Sequence, residues 1–143
     1  MDDFFITTEK DKINLALVHR FLSEQSGWAK GISFATVKRS IDHSLCFTGL
    51  LGNRQIAFAR VITDRTTFAN LVDVFVLPPY RGQGYGKRLI QAVLSHPDLQ
   101  GLRRFTLATS DAHGLYARFG FAPPARPDTL MEQYRPDIYG RPR

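Results

Sequence analysis

The chain opens on Phe4-Phe5-Ile6, a short apolar run that reads as a first strand. The period then changes. Ile13, Leu17, Phe21 and Leu22 recur at spacings that put them on one face of a helix. Thr8, with Asp11 three residues on, offers a capping-box-like start for that helix, and it ends before Gly27. Trp28-Ala29-Lys30-Gly31 reads as a loop, after which Ser33 caps a second helix carrying Phe34, Val37 and Ile41. From Ser44 the pattern belongs to strands. Leu45-Cys46-Phe47 and Leu50-Leu51 run into the turn signal Gly52-Asn53, and Ile56 to Thr63 form the return strand. Asp64-Arg65 makes a second turn. Phe68 to Leu77 is apolar on both faces, as expected at the centre of a sheet, and Pro78-Pro79 stops it. A helix over Gly84 to Leu94 turns Leu89, Ile90, Val93 and Leu94 inward. Phe105 to Thr109 is a buried strand, Asp111 to Phe119 a short helix, and Gly120-Phe121 leads into a last strand. The order β-α-α-β-β-β-α-β-α-β predicts an α/β fold with one mixed sheet and helices on both faces.

The 143 residues suit a single domain spanning 1–143, with 135–143 as a loose tail. No apolar run approaches the roughly 18 residues of a membrane span, and Met1-Asp2-Asp3 lacks the pattern of a signal peptide. The single cysteine, Cys46, excludes an internal disulfide; the expected location is the cytoplasm. A net charge of +6 favours an anionic partner. The basic residues are dispersed rather than gathered in a run, which argues against nucleic acid and leaves a phosphorylated cofactor.

The informative segment is LVDVFVLPPYRGQGYGKRLI, residues 71–90: strand, proline stop, glycine loop, amphipathic helix. A helix N-terminus presents unpaired N–H groups and a partial positive charge, a ready phosphate site. Gly82, Gly84 and Gly86 remove side chains there, so backbone can approach a pyrophosphate. Lys87 and Arg88 sit in a first turn that would otherwise favour acids, which makes most sense if an anion offsets them. The loop is neither a Walker loop, since Arg88 follows Lys87, nor a dinucleotide fingerprint, since Lys87 or Leu89 stands where the third glycine belongs.

With its strand before and LYARFGF at 115–121 after, this loop resembles the R/Q-x-x-G-x-G/A motif of the GNAT N-acetyltransferase superfamily, and the likeness covers nearly the whole chain. The resemblance implies acetyl-CoA as cofactor and, as acceptor, a small-molecule or peptide amine. It implies that Val74, Phe75 and Val76 pair through their backbone with pantetheine. The loop Arg81, Gly82, Gln83, Gly84, Tyr85, Gly86 and Lys87 would cradle the pyrophosphate. Tyr116 would sit near the thioester sulfur. Family members often carry asparagine where this chain has Thr109, and glutamate where it has Asn70.

Acetyl transfer needs the amine, of pKa ~10.4, to lose a proton, and the leaving thiolate to be stabilised. Tyr116 is the candidate for the second task. A phenol at ~10 giving its proton to a thiol at ~8.5 is uphill, so hydrogen bonding with late or concerted transfer fits better. The alternative is a tyrosine packed against the sheet. For the first task Asp73 is the lone charge in an apolar strand: either a base whose pKa burial raises, or half of an ion pair with Arg60 or Arg104. A water-mediated base is a third possibility. His113, one helical turn before Tyr116, is a proton relay or a surface residue; Trp28 stacks on the acceptor or closes the core. Ser110-Asp111-Ala112-His113 is no hydrolase triad, because Ser110 or Asp111 serves as a helix cap. His19, His43 and His96 lack metal-ligand spacing, so no metal is expected. Cys46 lies on an early strand, away from the loop, which favours direct transfer in a ternary complex. Rival readings are transfer of a longer acyl group and a CoA-binding module without catalysis. The chain is expected to be a monomer or homodimer, the proline-rich end from Pro123 being a partner surface or a tail.

Overall fold

The alternating stretch from Ser44 onward folds as a meander. The computed structural model describes residues 3–140. Its strands are β1 (Phe4–Thr7), β2 (Leu45–Leu51), β3 (Arg54–Thr63), β4 (Phe68–Val76) and β5 (Arg104–Leu107). They lie in one sheet in the order β1-β2-β3-β4-β5, antiparallel except for the parallel β4–β5 pair. The helices are α1 (Leu15–Arg20), α2 (Phe34–Asp42), α3 (Tyr85–Ser95) and α4 (His113–Ala117). α3 is the crossover that lets β5 run parallel to β4. The second turn holds as expected. The Asp64 carboxylate accepts N–H bonds from Thr66, Thr67 and Phe68, and these together with the Thr67 hydroxyl hold its pKa well below the usual carboxylate range.

Two apolar layers cover the two faces. Tyr85, Leu89, Ile90 and Val93 of α3 pack with Tyr116 of α4 on Phe47, Ala57, Ala59, Val61 and Leu71. On the other face Val18, Phe21, Leu22, Val37 and Ile41 pack on Cys46, Phe58 and Phe75. The predicted mixed α/β sheet with helices on both faces is therefore the observed one.

Three local expectations are corrected. α1 is capped by Asn14, not Thr8. The Asn14 side chain accepts from Leu17 N, and its own N–H donates to the buried Gln55, which ties the helix start to β3. Lys10–Lys12 form only a 3-10 turn. The helix then widens into one π turn over Phe21–Gln25 before Trp28. Second, no strand follows Gly120-Phe121 among the described residues. Prolines at 123, 124, 127 and 136 remove ladder donors there, and every residue from 122 to 140 is exposed. Third, neither Ser110 nor Asp111 caps α4, whose N-cap is Ala112; Thr109 Oγ1 accepts the Ala112 N–H instead. Of the expected loose tail, residues 141–143 lie outside the described residues.

β4 is not uniformly buried. It carries one extra residue: Arg60 faces Val72 and Phe58 faces Phe75, so Ala59 alone spans Asp73 and Val74. Asp73 takes the left-handed conformation there, φ 54°, which few residues other than glycine adopt and aspartate tolerates better than most. The bulge reverses the side-chain alternation. Before it Ala69 and Leu71 face α3; after it Val74 and Val76 do, while Phe75 stacks on Phe21 across the sheet.

Candidate active site

The site grows from the point where two strands separate. β4 and β5 pair from Phe68↔Arg104 to Leu71↔Leu107, and there β5 ends. Val72 to Val76 therefore have no neighbour on that side, which leaves a length of strand edge open to an extended guest. Asn70 stands just before the parting and accepts a bond from Thr106 Oγ1 at 2.9 Å, tying the two strands together. The Val76 carbonyl already accepts from Arg81 Nε at 2.8 Å.

Beyond Leu77 the chain turns through Pro78–Tyr80 into the glycine loop, and Gly84 caps α3. Gly82 (φ 79°) and Gly84 (φ 87°) need glycine for their backbone alone. Gly86 does not: it is the second residue of α3, in a helical conformation that alanine adopts more readily. A Cβ built on Gly82 or Gly84 would meet nothing within 4 Å, and one on Gly86 only Val76 Cγ2 at 3.9 Å. No packing within the protein demands the bare backbone at Gly86. The open space in front of it fits a ligand that must lie against the helix N-terminus, as a pyrophosphate would.

The loop's side chains divide. Lys87 is exposed and unengaged, whereas Arg88 turns away, donating to the Phe4 carbonyl and lying 4.7 Å over the Phe4 ring. Of the two cations expected to await an anion, Lys87 is placed to meet one and Arg88 is not. Tyr85 is buried against Phe4, so its side chain belongs to the core. Gln83 reaches only as far as the Pro79 carbonyl.

Asp73 sits at the mouth of the opening with both oxygens engaged. Oδ2 accepts from Arg60 Nε and Oδ1 from Trp28 Nε1, each at 2.8 Å. Arg60 also donates to Ser44 Oγ. The ion-pair alternative is therefore real, with Arg60 rather than Arg104 as partner. Trp28, 52% exposed, is held upright by that bond rather than closing the core. This coupling of Trp28 to Asp73 across 45 residues has no signal in the sequence.

Tyr116 lies on α4 with its ring against Phe121, and its hydroxyl bonds no described residue. Burial, with the nearby Asp111 charge, pushes its pKa above the usual phenol value. His113 is exposed and borders the same cleft as Tyr116, as does Thr109. That cleft, about 760 Å³, follows β5 and the segment 121–125; no residue of β4 or the glycine loop lines it. Cys46 is buried in β2, and burial raises its thiol to about 11, so it is protonated at neutral pH.

Comparison with known proteins agrees with this geometry. The family model for the acetyltransferase (GNAT) family matches residues 15–121. A Xanthomonas campestris pv. campestris protein assigned to the GNAT acetyltransferases has a solved structure with a TM-score of 0.96 and 58% identity, covering 99% of each chain. A Gibberella zeae protein described as an acetyltransferase is 27% identical over 81% of this chain and 77% of its own length. A Clostridium acetobutylicum protein solved with acetyl-CoA shares the fold at a TM-score of 0.68 and 15% identity, over 94% of this chain and 96% of that one.

Proposed function

The chain belongs to the GNAT acetyltransferase family, and on that premise we propose that it moves an acetyl group from acetyl-CoA to a primary amine by direct transfer in a ternary complex. The observation that carries the cofactor reading is Gly86, bare without an internal reason, beside a helix N-terminus and a free strand edge. Acetyl-CoA, when bound, supplies the acetyl group activated as a thioester. The N–H groups from Gly82 to Lys87 hold the pyrophosphate, and the backbone from Val74 to Val76 aligns the pantetheine as an added strand would.

The Tyr116 hydroxyl, unspent on the protein itself, donates to the departing sulfur. Its raised pKa makes outright proton transfer to a thiolate of pKa ~8.5 still less favourable, so it acts by hydrogen bonding, with the proton moving late. Asp73, fixed by Arg60 and Trp28, orients the incoming amine by its charge, and a water takes the amine's proton. Trp28 forms the acceptor's wall, with Asn70, Thr109 and His113 around the reacting centre. The protonated, buried Cys46 is unsuited to carry the acetyl group, which supports direct transfer.

Thiol release from acetyl-CoA against polyamines, amino acids, aminoglycosides and lysine peptides tests this reading. The expected result is turnover of one class, with Tyr116→Phe losing about 100-fold in kcat while binding CoA as before. Binding of CoA without turnover of any acceptor would favour a non-catalytic CoA module. Failure to bind CoA would overturn the reading.

A further inference from the structure

A hollow of about 300 Å³ lies between α2 and the last residues of β3, apart from the cleft along β5. Its helix wall is Thr36, Arg39 and Ser40 of α2 with the capping His43, which recur at helical spacing and so share one face. Its floor is Arg60 and Ile62 of β3. Arg60 lies opposite Val72, and Ile62 opposite Asn70. Directly opposed residues of an antiparallel pair put their side chains on the same face. The hollow therefore borders the stretch of β4 from Asn70 to Asp73, beside the point where β4 and β5 part.

The charge there is one-sided. Arg39 and Arg60 are cations, His43 offers a ring N–H, and no carboxylate lines the hollow among the described residues. Arg39 and His43 are exposed, and neither side chain has a partner among those residues. Arg60 is only partly engaged: Nε holds Asp73 and Nη1 holds Ser44 Oγ, which leaves Nη2 without a bond. The C-terminal end of α2 does not account for the cations, because its carbonyls already have donors. Val37 O accepts from Ser40 Oγ, Ser40 O from Ser44 Oγ, and Asp42 O from Lys10 Nζ. The acid beside His43, Asp42, pairs with Lys38 at 3.2 Å and does not line the hollow. Cations left unpaired around one concave surface suit an anion.

We propose that this hollow takes the anionic end of the acceptor, a carboxylate or phosphate, while Asp73 faces its amine; the inference rests on the acetyl-transfer reading above. Arg60 links the two ends, since the guanidinium that holds Asp73 also lines the hollow. The acceptor's two charges then stand roughly one guanidinium and two hydrogen bonds apart, about 8 Å. An α-amino acid does not reach, because its amine and carboxylate share one carbon. A primary amine with its acid several bonds away does. Ile62, an apolar side chain left 44% exposed, gives the carbon chain between them a surface to lie on. The match of charges selects among amines of equal length: the acid-bearing one is the better substrate.

Two matched pairs of acceptors with a terminal amine test this: aminohexanoate against aminohexanamide, and aminohexyl phosphate against aminohexanol. Each pair keeps the amine and the chain and differs in the charge at the far end. Binding is read first, without acetyl-CoA, from backbone amide shifts of the isotope-labelled full chain. At least one acid should move the amides of residues 36–44 and 60–62 and bind at least about tenfold more tightly than its neutral match. Which pair shows this tells carboxylate from phosphate. Arg39→Ala should bring that ratio near one, and with Arg39 exposed, circular dichroism should be unchanged. With acetyl-CoA present the same ratio should appear in KM rather than kcat. Equal binding within both pairs would overturn the proposal, as would a preference that Arg39→Ala and His43→Ala leave intact. Acids that bind with this preference and are never acetylated would overturn the assignment of the hollow to the acceptor. CoA binding, measured separately by calorimetry, reports on the transfer reading alone.

Discussion

β5 leaves two open stretches of strand edge beside it, and they have opposite surroundings. The inner one, along Val72 to Val76, opens beside a glycine loop and a helix N-terminus. The outer one, along Arg103 to Leu107, opens toward an apolar segment of the chain itself. Backbone offers the same donors and acceptors at both. What differs is the neighbourhood: stripped side chains and partial positive charge on one side, uncovered apolar residues and paired prolines on the other. An open edge says only that an extended guest fits; the residues around it say which guest.

Separating the two is a matter of breaking one and reading both. The largest effect is expected at Gly86→Val, which should weaken CoA binding by about 100-fold in calorimetry while leaving the mass in solution unchanged. Gly86→Ala sharpens the point, because alanine in α3 should raise Tm slightly while still weakening CoA. A drop in Tm with unaltered CoA affinity would mean the glycine serves the fold. Asp73→Asn comes next. Asparagine tolerates the left-handed backbone but leaves Arg60 without its counter-charge. Acceptor kcat/KM should fall about tenfold, with CoA affinity and mass both preserved.

The smallest effect belongs to neither edge. Cys46 is raised from 9.0 to about 11 in the fold, so the folded state favours the neutral thiol. That contribution is complete below about pH 9 and is lost as pH rises toward about 11, as the unfolded chain releases its proton first. Urea midpoints should fall across that window by less than a factor of ten in the folding constant per pH unit, since one proton is involved. Tyr116, also shifted upward, adds to the decline from about pH 10.

How much of this was legible beforehand follows from how local each cause is. The glycine loop, the Ser33 cap and the Gly52 turn rest on residue type within a few positions, and each stands where the pattern put it. The α1 cap failed because Asn14 gains a bond from its backbone to Gln55, 41 residues away, that Thr8 has no means to match. The last strand failed because the hydrophobic residues after Phe121 look like strand material while the prolines among them forbid pairing with their own sheet. Asp73 was readable as anomalous, a charge in an apolar run, but not as the hinge of an Arg60–Trp28 arrangement, which exists only once three distant segments meet.

The extra residue at Asp73 sets a reading frame along β4. Along a strand, every residue has an address, one side or the other, fixed by counting in twos. The insertion of one residue opposite Ala59 shifts that count for everything downstream. Straightening the strand there with every residue kept would therefore be a frameshift in space. It would send Val74 and Val76 to the side now held by Phe75, pull Phe75 off Phe21, and deliver the chain toward Pro78 on the wrong side of the sheet. The glycine loop would keep its letters and lose its place.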